Sequence, residues 1–239
     1  MGIFDRFSQK PKKRALNELI DRDDPGWPIV ETWLAAANKS IEVLPADPKQ
    51  ANETLVAMQV TTRSPMGAVI HETGGILVDR GWLRILGSGH PKLPRDIAAW
   101  NKASQPIEAQ RAPGLCLIAD DAIGGFYAIN GGALPGDVGL AYYFAQDTME
   151  WEGMNFGYSG FLQWAMTGDL EQFYGDFRWP DWPAEVETMP GDRAFGIYPF
   201  LCAVGPPIAE RSRRAVPINE IWGLTIDMRQ QMIEKGTPQ

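Results

Sequence analysis

Few residues in this chain have types and spacings that could do chemistry. Gly87-Ser88-Gly89-His90 brings a serine within two residues of a histidine, the nucleophile and base that acyl transfer uses. The G-x-S-x-G elbow that would hold such a serine is absent there and at Gly157-Tyr158-Ser159-Gly160, so a tight glycine-flanked turn accounts better for the spacing. His71 and His90 are the two histidines in the chain. A metal site built on both would need carboxylates as well. His71-Glu72 starts like HExxH, but Gly75 stands where the second histidine belongs, and residues 67–73 read as strand, not the helix that motif needs. No metal and no cofactor is expected.

Asp120-Asp121, with Asp147, Glu150 and Glu152, could supply a carboxylate pair for general acid and base work. Acids at strand ends and turns more commonly meet water or turn amides. GGALPGD has glycines but neither a Walker lysine nor G-x-G-x-x-G spacing, so it predicts a turn and not a phosphate cradle. What survives is an acidic rim, Asp120, Asp121, Asp137, Asp147 and Glu150, as a face for a basic partner. Nine tryptophans are a heavy load. Trp179 and Trp182, set among prolines beside Arg178 and Asp181, have the character of interface anchors; the competing reading is a loop that folds back over the sheet.

These groups need elements to position them. Phe126–Asn130 and Leu140–Phe144, joined by a turn with four glycines and a proline, predict a β-hairpin. Leu115–Ala119 leads into it. Upstream, 67–73, 76–79 and 82–86 are short apolar runs split by Gly74-Gly75 and Arg80-Gly81, which predicts a meander. Helices are expected from Ala15, from Trp27 or Pro28, after Asp47-Pro48, and after Pro94. Others are expected after Ser159, after Asp169 and over 218–235. Ile41–Leu44 is too short to assign. Arg178–Pro183 cannot be regular helix or central strand, and 195–204 reads as a strand broken by Pro199. The class is α+β, a mainly antiparallel sheet with helices at both ends of the chain, organised as a flexible basic leader over 1–14 and a single domain over 15–239.

Composition bounds the function. With 44% hydrophobic and 22% charged residues among 239, the chain is an ordinary globular one able to bury a sizeable core. It has no apolar run of membrane-spanning length and no secretory signal pattern. Cys116 and Cys202, with no CxxC partner, define neither a zinc site nor a disulfide framework, and a cytoplasmic location is expected. Net charge is −8, and the 225 residues after the leader carry 17 basic and 29 acidic groups, net −12. Such a body repels nucleic acid and favours a basic protein surface.

Through QVTTRSPMGAVIHETGG, GWLRILGSGHPKLPRDIAAWN, GGFYAINGGALPGD, YYFAQDTMEWE and FLQWAMTGDLEQFY, the chain resembles a bacterial family of domains of unknown function from Ala15 to Gln231. More loosely, LPRDIAAW, IADDAIGGFYAIN, YYFAQDTMEWE and YSGFLQWA, within Leu93 to Thr167, are similar to the SUKH (Smi/Knr-like) superfamily. That likeness implies a SUKH-like middle and an interaction module, often an immunity protein against a toxin, with no catalytic residues to carry over. The expectation is a non-enzymatic protein-binding domain that covers a basic toxin or effector. The alternatives are a hydrolase using His71 or His90 with nearby carboxylates, and small-ligand or glycan binding at Trp179 and Trp182.

Overall fold

A computed structural model describes residues 13–103 and 114–234. Most of the expected leader, and the proline-punctuated connection at 104–113, lie outside the described residues. Arg14 is docked: its backbone N–H donates to Gln59 Oε1 at 2.7 Å.

Helix starts follow local chemistry. Helix α1 (Leu16–Leu19) is a single turn, and α2 (Trp27–Ala35) carries Pro28 in its first turn. In α3 (Pro48–Met58) the Asp47 carboxylate accepts the Gln50 N–H at 2.9 Å, satisfying an orphan donor of the first turn. Ser64 does the same at α4 (Pro65–Glu72), accepting from Gly67 N–H at 3.1 Å. Residues 67–72 are therefore helical, contrary to the strand expected there. Gly67, Ala68, Val69 and Ile70 are all buried, and a short continuous apolar run does not distinguish a buried helix from a buried strand. The Ser64-Pro65 start signal was the deciding feature.

Strands β1 (Ile41–Pro45), β2 (Thr73–Val78), β3 (Leu83–Leu86), β4 (Leu115–Asp121), β5 (Phe126–Asn130), β6 (Leu140–Ala145) and β7 (Glu150–Gly157) form one antiparallel sheet in sequence order. The expected hairpin is β5–β6. β1 is an edge strand, and β7 replaces the loop expected after Glu152. Helix α5 (Ile97–Ala103) precedes β4, while α6 (Tyr158–Thr167), α7 (Leu170–Tyr174) and α8 (Trp182–Thr188) follow β7. The prolines of 178–183 do not exclude helix, because Pro183 falls in the first turn of α8, where its missing N–H costs nothing. A separate hairpin of β8 (Arg193–Tyr198) and β9 (Ser212–Pro217) leads into α9 (Ile218–Glu234).

The register defines two faces. Glu42, Leu77, Arg84, Asp120, Phe126, Phe144 and Trp151 stand opposite one another across the seven strands, so their side chains share a face. Ile76, Ile85, Ala119, Tyr127 and Tyr143 make the adjacent row on the other. That other face is covered by helices: the Tyr127 ring lies 5.1 Å from Phe161 of α6, and Tyr143 5.2 Å from Phe173 of α7. On the first face, α9 sets Trp222 edge-on to Phe126 at 4.8 Å, and β8 joins the sheet through Phe195 N–H to the Ala122 carbonyl at 2.7 Å.

Two glycines of the central hairpin differ in role. Gly132 has φ +113 with open space around it, whereas a Cβ on Gly125 would overlap Asp121 Oδ2 and the Tyr143 hydroxyl. Gly132→Ala is expected to cost about 1 kcal/mol from backbone strain, and Gly125→Ala about 3 kcal/mol from overpacking. Thermal melts should place Gly125→Ala the further below wild type, by about 2–4 °C per kcal/mol; equal shifts would contradict the packing around Asp121.

Candidate functional site

Two of the acids expected on a rim are at the centre of the molecule. Asp120 and Asp121 are 0% exposed. Asp120 is shared by two buried arginines: Arg95 Nη1 lies 2.5 Å from its Oδ2 and Arg84 Nη2 2.6 Å from its Oδ1. Arg84 also donates to the Asp121 carbonyl at 2.8 Å and to the Arg193 carbonyl, and Arg95 donates to the Gly191 carbonyl at 2.8 Å. The Asp121 side chain points to the other face. There it accepts from Ile123 N–H at 3.0 Å, Gly125 N–H at 2.8 Å and the Tyr143 hydroxyl at 2.9 Å. Burial pushes the Asp121 carboxyl above the ordinary carboxylate range, against these hydrogen bonds and the nearby Arg84. Neither acid faces solvent: arginines remote in sequence hold Asp120, and two amides of its own turn with the Tyr143 hydroxyl hold Asp121.

The rest of the rim is dispersed. Asp137 and Asp147 are exposed at opposite ends of β6, and Glu150 pairs with Arg229 of α9 at 3.1 Å. The tryptophan segment folds back, the competing reading. Trp179 is 2% exposed and donates to Glu185 at 2.9 Å. Arg178 binds Asp79 at 2.6 Å and Glu171 at 2.9 Å, with its guanidinium 4.3 Å from the Trp182 ring and 4.9 Å from the Trp82 ring. Trp179 and Arg178 are thus consumed by packing, and Trp182 is partly covered.

The histidines stand apart from nucleophiles. Ser88 is buried and donates to the Thr73 carbonyl at 2.8 Å. His90 Nδ1 accepts from Lys92 N–H at 3.1 Å. His71, in the last turn of α4, meets its neighbour Glu72 at 2.6 Å. Among the described residues no group of three or more His, Cys, Asp or Glu could hold a metal ion. Burial pushes the Cys116 thiol up to about 11, so it is not an activated nucleophile.

Two open surfaces lie on the face where Arg84 sits. One is a cleft of about 520 Å³ over the β1–β3 half of the sheet, floored by Leu77 and Arg84 and walled by α8, residues 188–192 and the Pro91–Pro94 loop. The ion pairs Arg80–Glu187 and Lys92–Glu42 rim it. The other is a groove of about 590 Å³ between the β8–β9 hairpin and α9, lined by Gly196, Tyr198, Phe200, Arg214, Val216 and Leu224, among others. The loop beyond β8 is held by one side chain: Arg211 donates to the carbonyls of Pro206 at 2.8 Å, Pro199 at 3.0 Å, Phe200 at 2.6 Å and Ala203 at 3.2 Å. Sequence reading missed both surfaces. The signal for the groove was the apolar Tyr198-Pro199-Phe200-Leu201 run beside the Arg-rich start of β9.

The model of a protein family described as "Protein of unknown function DUF2625" matches residues 16–221. The chain belongs to this family. Among DUF2625 relatives, the "Putative uncharacterized protein YbfG" of Escherichia coli (strain K12) is 42% identical over 217 residues, 91% of this chain and 98% of that one. An "Uncharacterized protein" of Haemophilus influenzae is 41% identical over 188 residues, 79% and 82% of the two chains. No solved structure matches. The bacterial family of unknown function expected from the motifs is thereby established, and the DUF2625 match spans the Arg84–Asp120–Arg95 cluster, the cleft and the β8–β9 hairpin.

The two buried acids of this DUF2625 chain give opposite expectations. Asp120→Asn leaves two buried guanidinium groups without their carboxylate and should cost about 3–5 kcal/mol in urea unfolding; a loss below 1 kcal/mol would show that the arginines are solvated. For Asp121, a raised folded pKa means that the unfolded chain ionises first as pH rises past about 4, so stability falls until the folded value is passed. Asp121→Asn should therefore flatten the decline in stability that sets in above about pH 4 relative to wild type; parallel curves would refute the assignment.

Proposed function

We propose that the chain is a non-enzymatic protein-binding domain whose contact surface is the groove between the β8–β9 hairpin and α9. The observation that supports it is the clustering of exposed apolar side chains on this one surface: Tyr198 is 67% exposed, Phe200 40% and Leu224 47%. Contiguous exposed apolar surface of this kind marks interaction sites on soluble proteins. Aromatic anchors in a groove match the anatomy of interface hot spots.

The loop that carries Phe200 and Val204 is organised in advance. Arg211 satisfies four of its carbonyls, so little conformational entropy is lost when a partner arrives. Arg214, exposed on β9, has no side-chain hydrogen-bond or ion-pair partner among the described residues. The occupant that fits is an apolar polypeptide segment bearing a carboxylate opposite Arg214. A toxin or effector, the class suggested by the SUKH likeness, suits this reading when it is basic overall, as the net charge of −8 favours, and presents such a segment to the groove.

The test is capture of partners at low salt by wild type and by Phe200→Ser, Arg214→Glu and Asp147→Lys. The expected result is one partner retained by Asp147→Lys and lost, by tenfold or more in affinity, with Phe200→Ser and Arg214→Glu. A partner lost only with Asp147→Lys, or no partner for wild type, would overturn the proposal. Arg211→Gln should weaken the same partner while leaving the melting temperature within about 2 °C, since the loop is on the surface.

A further inference from the structure

The cleft over the β1–β3 half of the sheet lies on different residues from the groove and does not depend on it. Its volume of about 520 Å³ is within the range of small-molecule sites, roughly 300–1,000 Å³. Its walls are aliphatic: Ile41, Leu77, Val186 and Met189 with prolines at both sides. Its base is polar and incompletely satisfied. Arg84 lines it, and beneath that floor Arg84 shares the carboxylate of Asp120 with Arg95, while Asp121 is engaged on the opposite face. Arg84 Nε, Arg95 Nε and Asp120 Oδ1 are buried with no aligned hydrogen bond, although Arg84 Nη2 stands 2.6 Å from that Oδ1. Buried polar atoms in native proteins are nearly always satisfied, and a buried guanidinium with an unmet donor favours a nearby acceptor.

We infer that this cleft binds a small aliphatic monocarboxylate, its carboxylate over the Arg84 end and within reach of Arg80 and Lys92, its hydrocarbon body on Leu77, Val186 and Met189. Arg84 is the buried cation among the lining residues, which suits a single carboxylate. Glu42, Glu187 and Asp192 also line the cleft and disfavour a dianion. The rim cations are free to turn inward, because Arg80–Glu187 is about half exposed on both sides and Lys92–Glu42 60% and 51% exposed, and exposed pairs of this kind contribute about 1 kcal/mol or less. The aliphatic walls select a hydrocarbon tail over a polar one.

The test is isothermal titration of the full chain with isovalerate, isovaleramide and inorganic phosphate, repeated on Thr188→Trp, which fills the cleft from an exposed position, and on Arg84→Gln. Isovalerate should bind saturably with a dissociation constant on the order of 1 mM, as suits a ligand of this size. Isovaleramide and phosphate should bind at least about tenfold more weakly, and Thr188→Trp should abolish the isovalerate signal. Arg84→Gln, if folded by circular dichroism, should weaken isovalerate about tenfold or more; if it does not fold, Thr188→Trp carries the test alone. No saturable isovalerate signal, equal binding of the amide or phosphate, or full binding by Thr188→Trp would overturn the assignment. Phe200→Ser should leave the titration unchanged, so failure here is separate from failure of the protein-binding groove.

Discussion

The sharing of Asp120 between Arg84 and Arg95 is the constraint on which the rest of the molecule depends. Burying an unpaired guanidinium or carboxylate costs several kcal/mol, so these three side chains enter the interior only together. Once there, the arginines direct further donors to backbone carbonyls far away in sequence, Gly191 and Arg193. Apolar burial has no direction, whereas these bonds have one. They seat residues 191–193 over β3 and β4, and with them the start of β8. The second layer is therefore keyed to the sheet by charge and filled in by hydrophobic contact.

The same cluster divides a face of the sheet in two. On the β5–β7 side the row reads Phe126, Phe144, Trp151, and Trp222 of α9 covers it edge-on. On the β1–β3 side it reads Glu42, Leu77, Arg84, and no helix lies flat upon it. A helix with an apolar stripe would strand Arg84 and Glu42 without water or partners. The covering chain instead passes to one side as α8 and residues 188–192, and a cleft is left. Polar residues in a row that is otherwise aromatic are thus the reason an opening exists there.

Much of the scaffold was legible. Capping residues located α3 and α7, since Asp47 and Asp169 accept the amides they were expected to accept, and the aromatic runs around the glycine-rich turn located β5 and β6. The errors have physical causes. The buried run 67–70 is apolar all round, so periodicity could not separate helix from strand. β7, reading EWEGMNFG, has two glycines and an irregular burial pattern, and only its pairing with β6 makes it a strand. β9 is rich in arginine and is a strand through its antiparallel pairing with β8, while its Arg213 lies on Trp179 and binds Glu185, a contact across 28 residues. The site was less legible than the fold. Asp120-Asp121 looks like a solvated pair until Arg84 and Arg95 are brought to it, and nothing local announces that.

Arginine chemistry also governs where charge sits in this chain. A guanidinium presents five donors in a planar fork, so one side chain can bind a carboxylate and several carbonyls at once. Arg84 is used in this way, Arg95 binds the same carboxylate and one carbonyl, and Arg211 holds four carbonyls of an exposed loop. The positive charge is thereby concentrated at the cleft base and along β9, while the surplus of acids lies scattered in turns such as those of Asp137 and Asp147. An approaching partner feels the net negative body at long range, where screening over about 8 Å already weakens it. In the proposed complex it would meet apolar side chains and Arg214, so the charge that steers such an encounter and the charge proposed to hold it have opposite signs.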